Sequence, residues 1–170
     1  MPNPTVTLNT SLGSMRIELF ADQAPQTVAN FVEIIQKGWY TGTHFHRIIS
    51  GFMIQGGCPQ GTGTGSRPDG KRLVHEGKPG VTAHVRGSIS MARSNDPDSA
   101  SCQFFICHGE DVGFLDPSRG NPGYVAFGKL ADDESFAVLD KIAAVPVVSG
   151  PGGEASKPTQ KVQITSASVG

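Results

Sequence analysis

The chain has 170 residues, of which 37% are hydrophobic, and a formal net charge of −1 at pH 7. A chain of this length buries roughly 70% of its unfolded surface when it folds as one domain, so we expect a single domain over residues 1–170. The balanced charge argues against nucleic acid or an anionic membrane as the main partner, because both select clustered positive charge.

Two features of the sequence bear on the compartment. Residues 1–9 lack the basic and apolar segments of a signal peptide, and no apolar run approaches the roughly 20 residues that span a bilayer. The three cysteines, Cys58, Cys102 and Cys107, are an odd number without an export signal. We therefore expect buried, unbridged thiols and a cytoplasmic protein.

The first third of the chain predicts a strand pair followed by a helix. Alternating apolar residues predict strands over Thr5–Thr10 and residues 15–20, joined by a turn at residues 11–14. Pro25 then opens a helix over residues 26–37, which Gly38 can end in the left-handed conformation.

A hairpin is predicted over residues 45–57, where two apolar runs flank a tight turn. Side chains alternate along a strand, so the length of the loop decides which face each residue occupies. A two-residue loop at Ser50 and Gly51 would put Arg47 and Gln55 on opposite faces. A three-residue loop that also includes Phe52 pairs Arg47 with Gln55 on one face. The second register creates a patch that suits a ligand with an apolar side and a peptide group.

The rest of the chain predicts mostly strands. Residues 56–80 are Gly-rich and polar, which is typical of a long surface loop. Strands follow at residues 87–92, 102–107, 124–130 and 161–168, with a helix around residues 136–143. Seven or so strands with two separate helices favour a closed antiparallel barrel whose ends are capped by the helices.

Residues 45–57 resemble the signature of the cyclophilins, which are peptidyl-prolyl cis–trans isomerases. The likeness continues through residues 87–92, 101–106, 114–116 and 124–128, and so covers nearly the whole chain in order. The resemblance implies a mostly β fold, a closed eight-stranded antiparallel barrel with two α-helices, and isomerisation of X–Pro bonds without a cofactor or metal. It implies a catalytic arginine and ten substrate-binding residues: Arg47, then Phe52, Met53, Gln55, Ala92, Arg93, Gln103, Phe105, Phe114, Leu115 and Tyr124.

Three of these residues depart from the pattern of many eukaryotic members. Phe114 and Tyr124 stand where those proteins have tryptophan and histidine, and Arg93 stands where they have asparagine. Together with Ser50 in place of a proline, these choices resemble the bacterial branch. Loss of the indole N–H removes a donor to cyclosporin, so we expect that drug to bind with reduced affinity. Isomerase activity is expected to persist because the arginine and the aromatic area remain.

The proposed site has a physical rationale in the chemistry of the imide bond. Amide resonance sets a rotation barrier of about 18–20 kcal/mol. In the twisted state the prolyl nitrogen becomes pyramidal and can accept a hydrogen bond, which the permanently protonated Arg47 can donate. A 10⁴–10⁵-fold acceleration requires roughly 6–7 kcal/mol, whereas one such bond contributes about 1.5–3 kcal/mol. The remainder is assigned to oriented donors such as Gln55.

Simpler interpretations exist for each of these residues. Arg47 could pair with an acidic residue on a surface strand, and the two glutamines could satisfy buried backbone groups. Phe52, Met53 and Phe105 could belong to the core, and a barrel rim would bury Leu115 and Tyr124 in any case. The whole groove could also belong to a binding module that holds Pro-containing segments without turnover.

Other sequence features point away from further chemistry. The five histidines lack metal-ligand spacing, and the Gly-rich residues 61–66 are not followed by a helix that would bind phosphate. Six basic residues are expected to form a solvated rim, or to steer acidic peptides: Arg67, Lys71, Arg72, Lys78, Arg86 and Arg93. The expected partners are proline-containing peptides and unfolded proteins, and we expect a monomer.

Overall fold

The computed structural model describes residues 3–77, 83–118, 120–150 and 153–170. These residues form ten strands: β1 (Thr5–Thr10), β2 (Gly13–Leu19), β3 (Arg47–Ile49), β4 (Met53–Gly56), β5 (Ser88–Met91), β6 (Phe104–Cys107), β7 (Ala126–Leu130), β8 (Val147–Ser149), β9 (Ala155–Pro158) and β10 (Ile164–Val169). Two α-helices, α1 (Pro25–Gln36) and α2 (Asp133–Ala143), accompany them, together with a short 3₁₀ turn at Gly113–Leu115.

Eight strands form one antiparallel sheet in the order β10-β1-β2-β7-β5-β6-β4-β3. The mostly β fold, the eight strands and the two helices are confirmed, but the predicted closed barrel is wrong. β3 and β10 are the two edges of the sheet, which is an open half-barrel. A single bridge between His44 and Gln163 joins the segments that lead into these strands. Because this bridge is antiparallel, β3 (from Arg47) and β10 (from Ile164) extend away from it in opposite directions and do not pair.

The two helices cover the sheet with amphipathic faces. Pro25 occupies the first turn of α1, and Gly38 adopts a φ of +73° just after the helix ends, as its position predicted. Asp132 caps α2 by accepting a hydrogen bond from the backbone N–H of Ser135 at 2.9 Å. The helices bury residues such as Phe31 in the main core, where aromatic rings meet edge to face.

The hairpin of β3 and β4 has the three-residue loop. Arg47 pairs with Gln55 and Ile49 with Met53 across the ladder. Gly51 has a φ of +82°, which the turn requires and which side chains other than glycine rarely adopt. The register in which Arg47 and Gln55 share one face is therefore confirmed, and the two-residue loop is excluded.

Other expectations for the chain have mixed outcomes. The three cysteines are unbridged and buried, as predicted. Residues 57–77 contain no strand or helix, as expected of the long loop. Residues 78–80 of that loop, including Lys78, lie outside the described residues.

Arg67 is only 5% exposed, so its predicted place in a solvated rim is wrong. Its charge is satisfied inside the protein by Glu33, Asp69 and the side-chain oxygen of Asn30.

The β8–β9 hairpin was not predicted from the sequence. Its strands are short and mostly exposed, and its segment is rich in Gly and Pro, so it lacks the alternation that identifies a half-buried strand. β9 packs against β3, which brings this hairpin to the edge of the sheet that carries Arg47.

None of the helices in the described part of the chain is both long and apolar enough to cross a membrane.

Candidate active site

The central strands divide their side chains between two apolar clusters. Ile54, Ile89 and Ile106 point into the main core. Their neighbours Met53 and Phe105 point to the opposite face of the sheet and form a second, smaller cluster. This division follows from the period-two alternation of a strand. The second cluster is the apolar floor of a surface groove rather than part of the main core.

The groove has a volume of about 190 Å³ and is lined by nine of the eleven predicted site residues. The structure brings together Arg47, Phe52, Met53, Gln55, Ala92, Arg93, Phe105, Leu115 and Tyr124. Phe114 lies at the rim, where its ring is 66% exposed and packs 5.6 Å from the ring of Phe52. Gln103 lies in an adjoining cavity of about 490 Å³, which shares Gln55, Ala92 and Arg93 with the groove.

The aromatic rings of the groove are held in defined orientations. The rings of Phe105 and Tyr124 meet edge to face, with centroids 5.6 Å apart and planes at 84°. The guanidinium of Arg93 lies 4.7 Å above the ring of Tyr124. It also donates to the backbone carbonyls of Ser94 at 2.8 Å and Gly123 at 2.5 Å. Arg93 is therefore a fixed cation at the border between the two cavities.

Arg47 lines the groove and also has an acidic partner. Its Nε donates to Oε1 of Glu154 at 2.8 Å, and its Nη2 donates to Oε2 at 2.9 Å. The hydrogen bonds from this guanidinium hold the pKa of Glu154 at about 2. The simple interpretation of Arg47 as one half of an ion pair is thus correct as a contact. The ion pair and the groove are compatible, because Arg47 also lines the groove.

A chain of amide side chains continues from Arg47. Its Nη1 donates to Oε1 of Gln55 at 3.2 Å, and Nε2 of Gln55 donates to Oε1 of Gln103 at 3.1 Å. Nε2 of Gln103 then donates to the carbonyls of Gly63 at 3.0 Å and Gly65 at 2.9 Å. Arginine can only donate, so the orientation of both amides follows from its position. Gln103 also satisfies backbone groups, as the simpler interpretation of that residue proposed.

Two residues at the site were missed by sequence reasoning. Glu154 is 107 positions from Arg47 and lies in the unpredicted β8–β9 hairpin. His84 is buried beneath Phe105, where its Nδ1 lies 2.8 Å from Oδ1 of Asp116 and its Nε2 lies 2.9 Å from Oγ of Ser90. Burial lowers the pKa of His84, and Asp116 opposes that shift. The sequence signal was weak: one acidic residue in a Gly/Pro-rich segment, and one histidine before a strand.

Across the described ranges, no group of three or more His, Cys, Asp or Glu residues could hold a metal ion. The groove combines an apolar floor, a fixed guanidinium and oriented amides. Comparison with known proteins identifies the family to which the chain belongs. A sequence model of the cyclophilin type peptidyl-prolyl cis-trans isomerase/CLD family matches residues 5–169. The chain therefore belongs to the cyclophilin-type peptidyl-prolyl cis–trans isomerases, EC 5.2.1.8.

Individual relatives agree with this assignment. A peptidyl-prolyl cis-trans isomerase of Helicobacter pylori is 43% identical over 136 residues, which are 80% of this chain and 78% of that protein. One from Acinetobacter baylyi is 39% identical over 169 residues, covering 99% of this chain and 87% of the relative. A crystal structure of a Cryptosporidium parvum cyclophilin type isomerase, in the presence of the dipeptide Ala-Pro, has a TM-score of 0.84 at 32% identity and covers 98% of both chains.

Proposed function

We propose that this protein isomerises X–Pro bonds of peptides and unfolded proteins without a covalent intermediate, with Arg47 donating a hydrogen bond to the prolyl nitrogen of the twisted imide. The observation that carries the proposal is that Arg47 lines the groove beside the apolar floor of Met53 and Phe105, with its guanidinium bonded to Gln55, another lining residue. A donor placed there can reach the nitrogen of a pyrrolidine ring that rests on the floor.

The apolar floor anchors the substrate but does not accelerate the reaction. Burial of a proline ring against Phe52, Met53, Phe105 and Leu115 is worth roughly 1.5–3 kcal/mol. The ring makes these contacts equally well in the cis and trans states, so they lower the free energy of bound substrate and transition state alike. The groove residues therefore set affinity, and the rate has to come from groups that prefer the twisted imide.

Arg47 can supply such a preference. Among the described residues, Glu154 and Gln55 accept from three of its N–H groups. A guanidinium carries five, so one N–H on Nη1 and one on Nη2 remain for a substrate. A charge-assisted hydrogen bond to a lone pair that exists only in the twisted state contributes about 1.5–3 kcal/mol. The amide of Gln55, fixed by Arg47 and Gln103, is the next candidate to hold a flanking substrate carbonyl.

The proposed partners follow from the same groove. The neighbouring structure solved in the presence of Ala-Pro supports proline-containing peptides as substrates, and unfolded proteins expose such segments, so assistance to protein folding is the proposed role. The three unbridged thiols suit a reducing compartment, and we place the protein in the cytoplasm as a monomer. Its near-neutral charge argues against nucleic acid as a partner.

A binding module with the same groove is the alternative, and a rate measurement separates the two. A protease-coupled assay on a panel of X–Pro peptides measures turnover, and titration with the same peptides measures affinity. We expect the observed rate to exceed the thermal background in proportion to protein concentration. Binding without any rate above that background would overturn the enzymatic proposal and leave the binding module.

A further inference from the structure

Glu154 holds Arg47 from the side opposite the amide chain. The carboxylate engages the Nε and Nη2 edge of the guanidinium with two parallel hydrogen bonds of 2.8 and 2.9 Å, the geometry that best matches the planar fork of arginine. Gln55 accepts from Nη1 at 3.2 Å. Arg47 is thus restrained at all three nitrogens, and the plane of its guanidinium is fixed relative to the groove.

Glu154 is itself held in place by backbone hydrogen bonds on its N-terminal side. Its backbone carbonyl accepts from the N–H of Gly150 at 2.8 Å, and Gly153, with a φ of +82°, donates to the carbonyl of Gly150 at 3.0 Å. These two backbone hydrogen bonds restrain the Cα position of Glu154, and β9 packs on β3 beside it. The hairpin is therefore a support that carries one carboxylate to Arg47 at the edge of the sheet.

The ion pair contributes little to fold stability. The two side chains are 37% and 44% exposed, and solvent screens pairs this exposed so that they add little to stability. Its larger effect is on orientation. An arginine side chain that is free to rotate has considerable rotamer entropy. That entropy would have to be lost during catalysis if the side chain were not already restrained before the reaction.

We propose that Glu154 is a positioning residue: it restrains the guanidinium of Arg47 so that its remaining N–H groups face the prolyl nitrogen. This inference rests on the proposed role of Arg47. The negative charge of Glu154 also weakens the field of the guanidinium, which acts in the opposite direction. Arginine stays protonated, and so remains a donor, whether or not the carboxylate is present. The kcat of the Glu154 variants therefore measures the balance between orientation and field.

The variants E154Q and E154A test this role, and E33Q is the matched control. Glu33 is a similarly exposed glutamate, at 40%, that pairs with Arg67 outside the groove. We expect E154Q and E154A to lower kcat about tenfold, equivalent to about 1.4 kcal/mol. KM should stay at its wild-type value, and the midpoint of urea unfolding should fall only slightly because the ion pair is exposed. E33Q should retain wild-type kcat. The ¹⁵Nε–¹Hε resonance of Arg47 should shift in E154Q and not in E33Q.

A double variant shows whether the effect passes through Arg47. In an R47A background, E154Q should cause no further loss of kcat. The inference would be overturned if E154Q had wild-type kcat, a higher kcat, or a change in KM alone. It would also be overturned if E154Q caused a further loss of kcat in the R47A background. These outcomes are distinct from a failure of the proposed function, in which wild-type protein itself gives no rate above background.

Discussion

The imidazole of His84 lies parallel to the ring of Phe105, with ring planes 9° apart and centroids separated by 6.2 Å. The side chain of His84 is fully buried and contacts Asp116 through Nδ1 and Ser90 through Nε2. The floor of the groove is thus supported from beneath by a hydrogen-bonded side chain rather than by an aliphatic one. This arrangement ties the position of Phe105 to a polar network that no substrate would contact.

The variant H84A should be strongly destabilised. It removes the ring beneath Phe105 and deprives Asp116 and Ser90 of a buried partner, so we expect the free energy of unfolding to fall by about 2–4 kcal/mol. Urea denaturation followed by fluorescence measures the change. H75A is the control, because His75 is a half-buried histidine outside the groove whose ring bonds the carbonyl of Pro122. Equal stability of H84A and H75A would contradict the supporting role.

Arg47 should affect turnover far more than affinity. If its hydrogen bond forms only in the twisted state, R47A loses about 1.5–3 kcal/mol of transition-state stabilisation, and kcat should fall about 10- to 150-fold. KM should change little, because the apolar floor still binds the proline ring. Steady-state kinetics with peptide titration measures both quantities, and R16A, which alters an exposed arginine paired with Asp132, is the control. Equal losses in kcat and affinity would instead indicate uniform binding.

The hairpin of β3 and β4 shows what the sequence can predict. Its register depends on neighbours within a dozen residues and on one turn glycine, Gly51, so local rules identify the face shared by Arg47 and Gln55. The same alternation separates Met53 and Phe105 from the main core. The resemblance to the cyclophilins added residues from distant segments, and the structure gathers nine of the eleven around one groove.

Long-range contacts account for what the sequence could not predict. Glu154 reaches Arg47 only because β9 packs on β3, and no periodic pattern in that exposed hairpin indicates the contact. The closed barrel was predicted from the number and spacing of the strands. These do not reveal whether the two edge strands lie side by side, which closure of the barrel requires. The edge segments meet only at the bridge between His44 and Gln163, and their relative position is set by long-range packing.

Phe114 should limit the affinity for cyclosporin. Its ring is 66% exposed at the rim of the groove, so a larger indole fits there without repacking the core. We expect F114W to raise cyclosporin affinity about two- to tenfold, the gain from one neutral hydrogen bond of about 0.5–1.5 kcal/mol. Isothermal titration measures the change, with F114L as the control that supplies no donor. An affinity for F114W no higher than that of the wild type would show that the missing indole N–H is not the limiting contact.

His46 should make the protein less stable as the pH falls from neutral. Burial, with smaller contributions from His44 and Arg47, lowers the pKa of His46 from 6.5 to about 4. Between these two values the unfolded chain binds a proton that the folded protein excludes, so the free energy of unfolding falls as pH decreases through this window. One such group contributes at most about 1.4 kcal/mol per pH unit. Urea unfolding at pH 7, 5.5 and 4 measures the slope, and H46Q should flatten it.

Glu154 should make the protein less stable in a second, more acidic pH window, which distinguishes its effect from that of His46. Its pKa in the folded protein is about 2, against an ordinary value of 4.5. The stability due to this carboxylate is therefore fully present above about pH 4.5 and is lost as the pH falls toward 2. E154Q should remove the pH dependence of stability in this acidic window only. Because the pair is exposed, the effect should be at most about 1 kcal/mol and should shrink with added salt. If H46Q leaves the slope between pH 7 and 4 unchanged, His46 is not the group that excludes the proton.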